Sequence, residues 1–236
     1  TNVIDYITIA TPGGSTDFGD LTVTRFASSS TSSPTRGIFA GGMIEAPSST
    51  YYDTIDYITI ITPGNAVDFG DMIIGDAAQR AACSSGTRAI LAGGRTGPPI
   101  TDAIDYYTFD HPFNGTDFGN LTSTNRAAAG TSDGSRGIIA GGDRSDTNKE
   151  KIDYITIATP ANAAPFGDLT RPHHYLAGTS NGSRAVFGGG WKDAINPSFY
   201  FSSNTIDYID IVSTGNATDF GDLTSKRDTL TACSGN

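Results

Sequence analysis

The apolar positions of this chain fall in short runs, not at the three-to-four-residue spacing of an amphipathic helix. The segments "RAILA" (88–92) and "YITII" (57–61) are typical. Runs of about five to eight residues, bounded by Gly, Pro, Asn and Ser, predict β-strands joined by tight turns. Because neighbouring residues within a run are apolar, and not merely alternate ones, these strands are expected to be covered on both faces. A lone sheet would leave one of those faces wet.

The runs recur in a fixed order. Aligned on Ile-Asp-Tyr, the copies begin at Ile4, Ile55, Ile104, Ile152 and Ile206, at intervals of 51, 49, 48 and 54 residues. Each copy opens with a β-rich run such as "IDYITIATP" and, after a turn, continues with "DFGDL" or a close variant. A run of small residues follows, beginning near Arg25, Arg80, Arg126, Pro172 or Arg227. The unit ends in "TRGIFAGG", "TRAILAGG", "SRGIIAGG" or "SRAVFGGG"; the fifth copy reaches "TACSGN" without this last element. Four strands per unit at this period point to a propeller or another repeat architecture.

These units resemble the kelch-like β-propeller repeat. The features that carry the likeness are an apolar strand ending in a double glycine and a later pair of aromatic positions. The glycines are read as Gly41-Gly42, Gly93-Gly94, Gly141-Gly142 and Gly188-Gly189, and the aromatics as Tyr6/Phe18, Tyr57/Phe69, Tyr106/Phe118, Tyr154/Phe166 and Tyr208/Phe220. Phe stands where that family usually has Trp. The wording of the repeat is similar to the Gly/Thr-rich kelch-like repeats encoded by bacteriophages, marine and cyanobacterial ones especially.

The resemblance implies an all-β fold of four-stranded antiparallel blades in one domain spanning 1–236. The family's strand order makes the small-residue run the innermost strand, a, followed outward by "GIFAGG" (b), "IDYITI" (c) and "DFGDL" (d). Five blades are expected, one of them shared between the two termini and lacking its strand b. An arc of a six- or seven-bladed ring is the alternative. The start at Thr1, inside a unit, is read as a processed product or a piece of a longer array.

Composition then bounds the function. A formal net charge of −10 argues against binding phosphate backbones. No apolar run approaches the roughly 18 residues of a membrane span. Cys83 and Cys233 make neither a disulfide framework nor a zinc site, and both read as small buried residues. No cofactor or metal is expected. Asp17/Asp20, Asp68/Asp71 and Asp219/Asp222 could supply calcium oxygens, but a Phe anchor between turn-forming acids fits the pattern better. Catalytic candidates are few: His111, His173 and His174 are the three histidines, and no nucleophile elbow accompanies them.

Two recurrent charges read as structural. Asp5, Asp56, Asp105, Asp153 and Asp207 lie in strand c, while Arg36, Arg88, Arg136 and Arg184 begin strand b. They are expected to pair as buried ions that set register.

Variation is concentrated between strands b and c, in "MIEAPSSTYYDT", "RTGPPITDA", "DRSDTNKEK" and "WKDAINPSFYFSSNT". Dissimilar loops on a uniform scaffold are how recognition surfaces are built. Their aromatics, Tyr51, Tyr52, Trp191, Phe199, Tyr200 and Phe201, are the candidate ligand-binding residues. The expected role is non-enzymatic: a phage virion or tail component engaged with other virion proteins and with a host-surface glycan or protein. Its expected location is virion or extracellular, with oligomerisation within an assembly possible. A stand-alone carbohydrate-binding lectin and a sugar-modifying propeller enzyme are the alternatives.

Overall fold

The computed structural model describes residues 1–45, 49–75, 77–97, 99–145, 149–193 and 200–234. Four antiparallel sheets follow one another along the chain, and in each the strand order is a-b-c-d. The first blade is Ser29–Ser32, Arg36–Ala40, Thr54–Thr59 and Val67–Asp71. The second is Ala81–Ser84, Arg88–Ala92, Ala103–Thr108 and Thr116–Asn120, and the third Ala129–Ser132, Arg136–Ala140, Lys151–Thr156 and Ala164–Asp168. The fourth is Ala177–Ser180, Arg184–Gly188, Tyr200–Asp210 and Thr218–Arg227, with Trp191–Asp193 paired to the start of its long third strand. Ahead of them, Val3–Tyr6 and Thr16–Asp20 pair in the register of a c–d hairpin.

Successive blades bury their facing sides against one another, as the consecutive apolar runs require. Ile38, Ile55, Phe69 and Met72 of the first blade pack on Leu91, Tyr107 and Phe109 of the second. Ile90, Ile104 and Phe118 of the second pack on Ile139, Ile155 and Ile157 of the third. Ile138, Ile152 and Phe166 of the third pack on Phe187, Ile209 and Ile211 of the fourth. The N-terminal hairpin joins the series through Ile4, Phe18 and Leu21, which pack on Ala66, Phe39 and Ile58 of the first blade. The hydrophobic core is therefore divided into layers between blades. The expected aromatic pair is present in every copy, edge to face, with ring centroids 5.9–6.2 Å apart.

Two devices fix the local geometry. Strand c carries a bulge between Ile and Asp in all five copies, from Ile4/Asp5 to Ile206/Asp207. The bulge re-aims the aspartate toward the preceding unit. The double glycine ends strand b with both residues at positive φ, as at Gly141 (64°) and Gly142 (100°). A Cβ on Gly141 would lie 2.5 Å from the His173 carbonyl of the following connection. In the fourth blade the pair at positive φ is Gly189-Gly190, one residue later than the alignment places it, because Gly188 is the last residue of strand b. The triple glycine "GGG" hid this offset.

Small residues in strand a let the blades converge. The inner strands contact each other in chain order and enclose an axial channel of about 900 Å³, which Ala232, Cys233 and Ser234 also line. A serine ladder runs along it: Ser84 Oγ donates to the Ser32 carbonyl, Ser132 Oγ to Ser84, and Ser180 Oγ to Ser132, at 2.5–2.8 Å. Among the described residues no helix is long and apolar enough to cross a membrane.

Candidate functional site

The b–c hairpins and the d–a connections share one face of the molecule, and they are tied together there. Phe26 bridges to Met43, Ala78 to Arg95 and His174 to Trp191, while Asn125–Arg126 pairs with Asp143–Arg144. At the channel mouth each connection turns at a residue with φ near 55°: Ala27, Gln79, Ala127, Tyr175 and Thr229. These residues form a chain of backbone hydrogen bonds. Gln79 N–H donates to Ala27, Ala127 to Gln79, Tyr175 to Ala127 and Thr229 to Tyr175, at 2.8–3.1 Å.

On this rim the fourth blade gathers an aromatic cluster. The His174 ring lies 5.4 Å from Tyr175 and 5.9 Å from Trp191, and the Tyr175 ring lies 5.8 Å from Trp191. A polar tract continues it across two blades. Gln79 Nε2 donates to the Tyr175 hydroxyl at 2.8 Å, and Arg126 Nη1 to Gln79 Oε1 at 3.5 Å. Arg126 also donates through Nε and Nη2 to Asp143 Oδ2, whose other oxygen is 3.1 Å from Lys149 Nζ. Partial burial alone would raise the Asp143 carboxyl; the hydrogen bonds from Arg126 and Lys149 outweigh it and hold it below the usual carboxylate range. Asp228, beside the cluster, is likewise lowered: the hydrogen bond from Ser202 Oγ (2.6 Å), with others from Trp191 and Thr229, outweighs desolvation.

Of the residues expected to bind, Trp191 belongs to this cluster and Phe201, 52% exposed, lies on the strand paired with it. Tyr200 pairs in register with Asp193 on the same hairpin, and Phe199 lies outside the described residues. Tyr51 sits on the first blade's hairpin, with the Arg95 guanidinium 5.8 Å from its ring, and Tyr52 is half-buried at the base of that hairpin. Thus, of the expected aromatics, the structure places Trp191 in the cluster and Phe201 on the strand paired with it, and places Tyr51 and Tyr52 on the hairpin of another blade. Sequence reasoning missed Gln79, Arg126, Asp143 and Tyr175. Three of the four sit in d–a connections, not in the variable loops; they differ from copy to copy at the positive-φ position or its neighbour, a signal that was legible.

The recurrent Asp and Arg are structural, but not as partners of each other. Arg36, Arg88, Arg136 and Arg184 stack on the tyrosine of their own blade, 4.2–4.7 Å from the ring centroid. The first three donate onward to carbonyls of the next blade, at Phe109, Ile157 and Ile211. The strand-c aspartates take other guanidinia: Asp56 pairs with Arg25 (2.8 Å), Asp105 with Arg80 (2.8 Å) and Asp153 with Arg144 (3.2 Å), all buried. Thr22, Thr122 and Thr170 each give a hydroxyl and a backbone N–H to Asp56, Asp153 and Asp207. Asp207 is buried, and its carboxyl is raised by desolvation despite the Thr170 hydrogen bonds. Asp5 is exposed.

The remaining chemical candidates are placed as follows. The Asp of "DFG" caps its own turn, as in Asp68 Oδ1 accepting the Gly70 N–H at 3.0 Å, and the Phe beside it is buried in four copies. Among the described residues no three His, Cys, Asp or Glu side chains converge as a metal site. His173 is buried within the third d–a connection, whereas His111 sits on a c–d turn. Cys83 is buried as expected, with its thiol pushed up to about 12 by desolvation, but Cys233 is exposed, at the edge of the channel beside Ala232 and Ser234.

No protein-family model matches the chain, and no curated protein does. A solved structure titled "Structure of YjhT" is similar in fold, with a TM-score of 0.74 at 12% identity, covering 93% of this chain and 77% of that one. At that identity the likeness speaks for architecture alone. The chain is an all-β protein of propeller-like fold.

Proposed function

We propose that this chain is a non-catalytic recognition protein, carried on a bacteriophage virion or tail, whose b–c/d–a face binds a host-surface glycan. The observation that carries this reading is the contrast between a scaffold copied blade after blade and one rim where the copies diverge. There, Tyr175 packs on Trp191 and leads through Gln79 to Arg126 and Asp143, and the exposed Phe201 lies on the strand paired with that of Trp191. Aromatic rims stack on the apolar face of a sugar ring, and fixed amide, guanidinium and carboxylate groups meet its hydroxyls. The virion setting is supported by the likeness of the repeat to phage-encoded ones, and other virion proteins would hold the opposite face. A stand-alone lectin is the second reading, favoured by the same aromatic cluster.

A surface-glycan array probed with the whole chain tests the ligand. Binding should fall more than about tenfold in Trp191→Ala and in Phe201→Ala while the unfolding midpoint of the exposed Phe201 variant stays put. Absence of binding to any surface glycan would sink the reading. A density map of intact particles tests the setting: the ring on the particle supports it, and a chain found only free of particles leaves the lectin.

A further inference from the structure

The dipeptide Asn-Gly occurs twice in the chain, at Asn114-Gly115 and Asn181-Gly182, and the fold holds the two pairs in opposite ways. An asparagine followed by glycine is open to attack from within the chain. The next backbone nitrogen can bond to the side-chain carbonyl carbon, and glycine puts no Cβ in the way. In a native protein the outcome depends on what already holds that nitrogen and that carboxamide.

Asn114 lies on the c–d turn of the second blade and is built into the junction with the first. Its Oδ1 accepts the Asp71 N–H at 3.1 Å, and the Gly115 N–H donates to the Asp71 carbonyl at 2.9 Å. A Cβ on Gly115 would lie 2.7 Å from the Tyr107 hydroxyl, so the glycine is also tightly enclosed. Both reacting groups are held by the neighbouring blade, and reaction there waits for the junction to open.

Asn181 lies on the a–b turn of the fourth blade, between Ala177–Ser180 and Arg184–Gly188, and it is exposed. Its Oδ1 accepts the N–H of Ser183 at 3.1 Å and of Arg184 at 2.9 Å. Both partners are donors, so the oxygen and not the amide nitrogen faces them. The ring closed by the Ser183 contact contains the Gly182 nitrogen, which folds the carboxamide back over the peptide bond that attacks it. The two donors also sit where negative charge develops on Oδ1 once its carbon becomes tetrahedral. Gly182, at φ 85°, is exposed, and its N–H has no hydrogen-bond partner among the described residues.

We propose that Asn181 is a site of spontaneous deamidation in the folded chain, and that the blade junction protects Asn114 from the same reaction. The Gly182 nitrogen loses its proton to solvent base and bonds to Asn181 Cγ. The Cγ–Nδ2 bond breaks, ammonia leaves, and a succinimide remains. One water then opens the ring, giving aspartate if the Cγ–N bond breaks and isoaspartate if the bond to the backbone carbonyl carbon breaks. The aspartate product fits the turn: in the third blade Asp133 already occupies this place and accepts the Ser135 and Arg136 N–H groups at 2.7 and 2.6 Å. Isoaspartate instead adds a methylene to the main chain, in a turn whose Gly182 lines the axial channel and whose preceding Ser180 bonds the Ser132 carbonyl. With age the channel's a–b end therefore gains a carboxylate, and the isoaspartate form loosens the inner hairpin of the fourth blade. This inference does not depend on the recognition reading.

Peptide mass mapping of the folded 236-residue chain during incubation at pH 8 tests it. Asn181 should convert at least about tenfold faster than Asn114, which reacts only through opened molecules. Isoaspartate should form part of the Asn181 product. In urea strong enough to unfold the chain, the two sites should convert at similar rates, because the same dipeptide is then free in both. An Asn181→Asp chain should unfold at the wild-type midpoint, while the aged isoaspartate fraction unfolds earlier. Equal conversion of the two sites in the folded chain, a difference that persists in urea, or an Asn181 that converts only after unfolding would each overturn the proposal.

Discussion

At the level of single residues, the recurrent strand-c aspartate was legible from its five copies, but its partner was not. The guanidinium that meets it arrives from three unrelated sequence positions: Arg25 in a d–a connection, Arg80 at the start of an inner strand, and Arg144 in a b–c hairpin. Alignment of repeats cannot register such convergence, and the bulge that aims the aspartate has no compositional mark. The distinction has consequences for stability. Asp56→Ala leaves Arg25 buried without its carboxylate and should cost about 3–5 kcal/mol in urea unfolding. Arg136→Met, which loses a stacked ring and one carbonyl contact, should cost about 1–2 kcal/mol. Two carboxylates, both at least partly buried and shifted in opposite directions, give a second check. Asp207 is raised in the folded state, so the wild type should lose stability relative to Asp207→Asn as pH climbs from the unfolded value, near 3.9, through the folded one. Asp143 is lowered, so its contribution is complete above that unfolded value and disappears as pH falls through the folded one. Unfolding free energies of Asp207→Asn and Asp143→Asn between pH 2 and 7 should therefore slope in opposite senses against the wild type.

Strands and turns were the most readable level, because each element has a local cause. Apolar runs gave the strands, and the double glycine gave the turn that carries the chain into the b–c hairpin. What the sequence left hidden was how one element's turn seats in the next blade. Gly119, at φ 138° on an outer strand, lies where a Cβ would be 2.6 Å from the Ala161 carbonyl of the following blade's turn. Gly221 has the same backbone angle (135°), but a Cβ there meets nothing within 4 Å. Gly119→Ala should thus lose both conformational ease and a blade contact, roughly 2–4 kcal/mol, whereas Gly221→Ala should lose only the strained-backbone part, about 1–2 kcal/mol. Equal losses in chemical denaturation would mean that the outer strand of the fourth blade is already covered.

For the molecule as a whole, layered packing makes each blade junction a separable unit, and the two thiols report on different ones. Cys83 sits between the second and third blades, packed with Ile155 and Ile157, and a Cβ on Gly137 of the third blade would lie 2.8 Å from its sulfur. Its thiol is buried and raised to about 12, so almost none is thiolate near neutral pH, and reagent reaches it only when those blades part. Cys233 lies exposed in the segment that borders the channel beside residues 30–34 of the first blade. Its sulfur is open to solvent and should react at once with a disulfide reagent at pH 8. The native chain should accordingly show one fast thiol and one that reacts only at the rate of blade opening. A Cys83→Ser chain should keep the fast phase, and a Cys233→Ser chain the slow one. Two fast thiols would mean that the second and third blades do not pack as described.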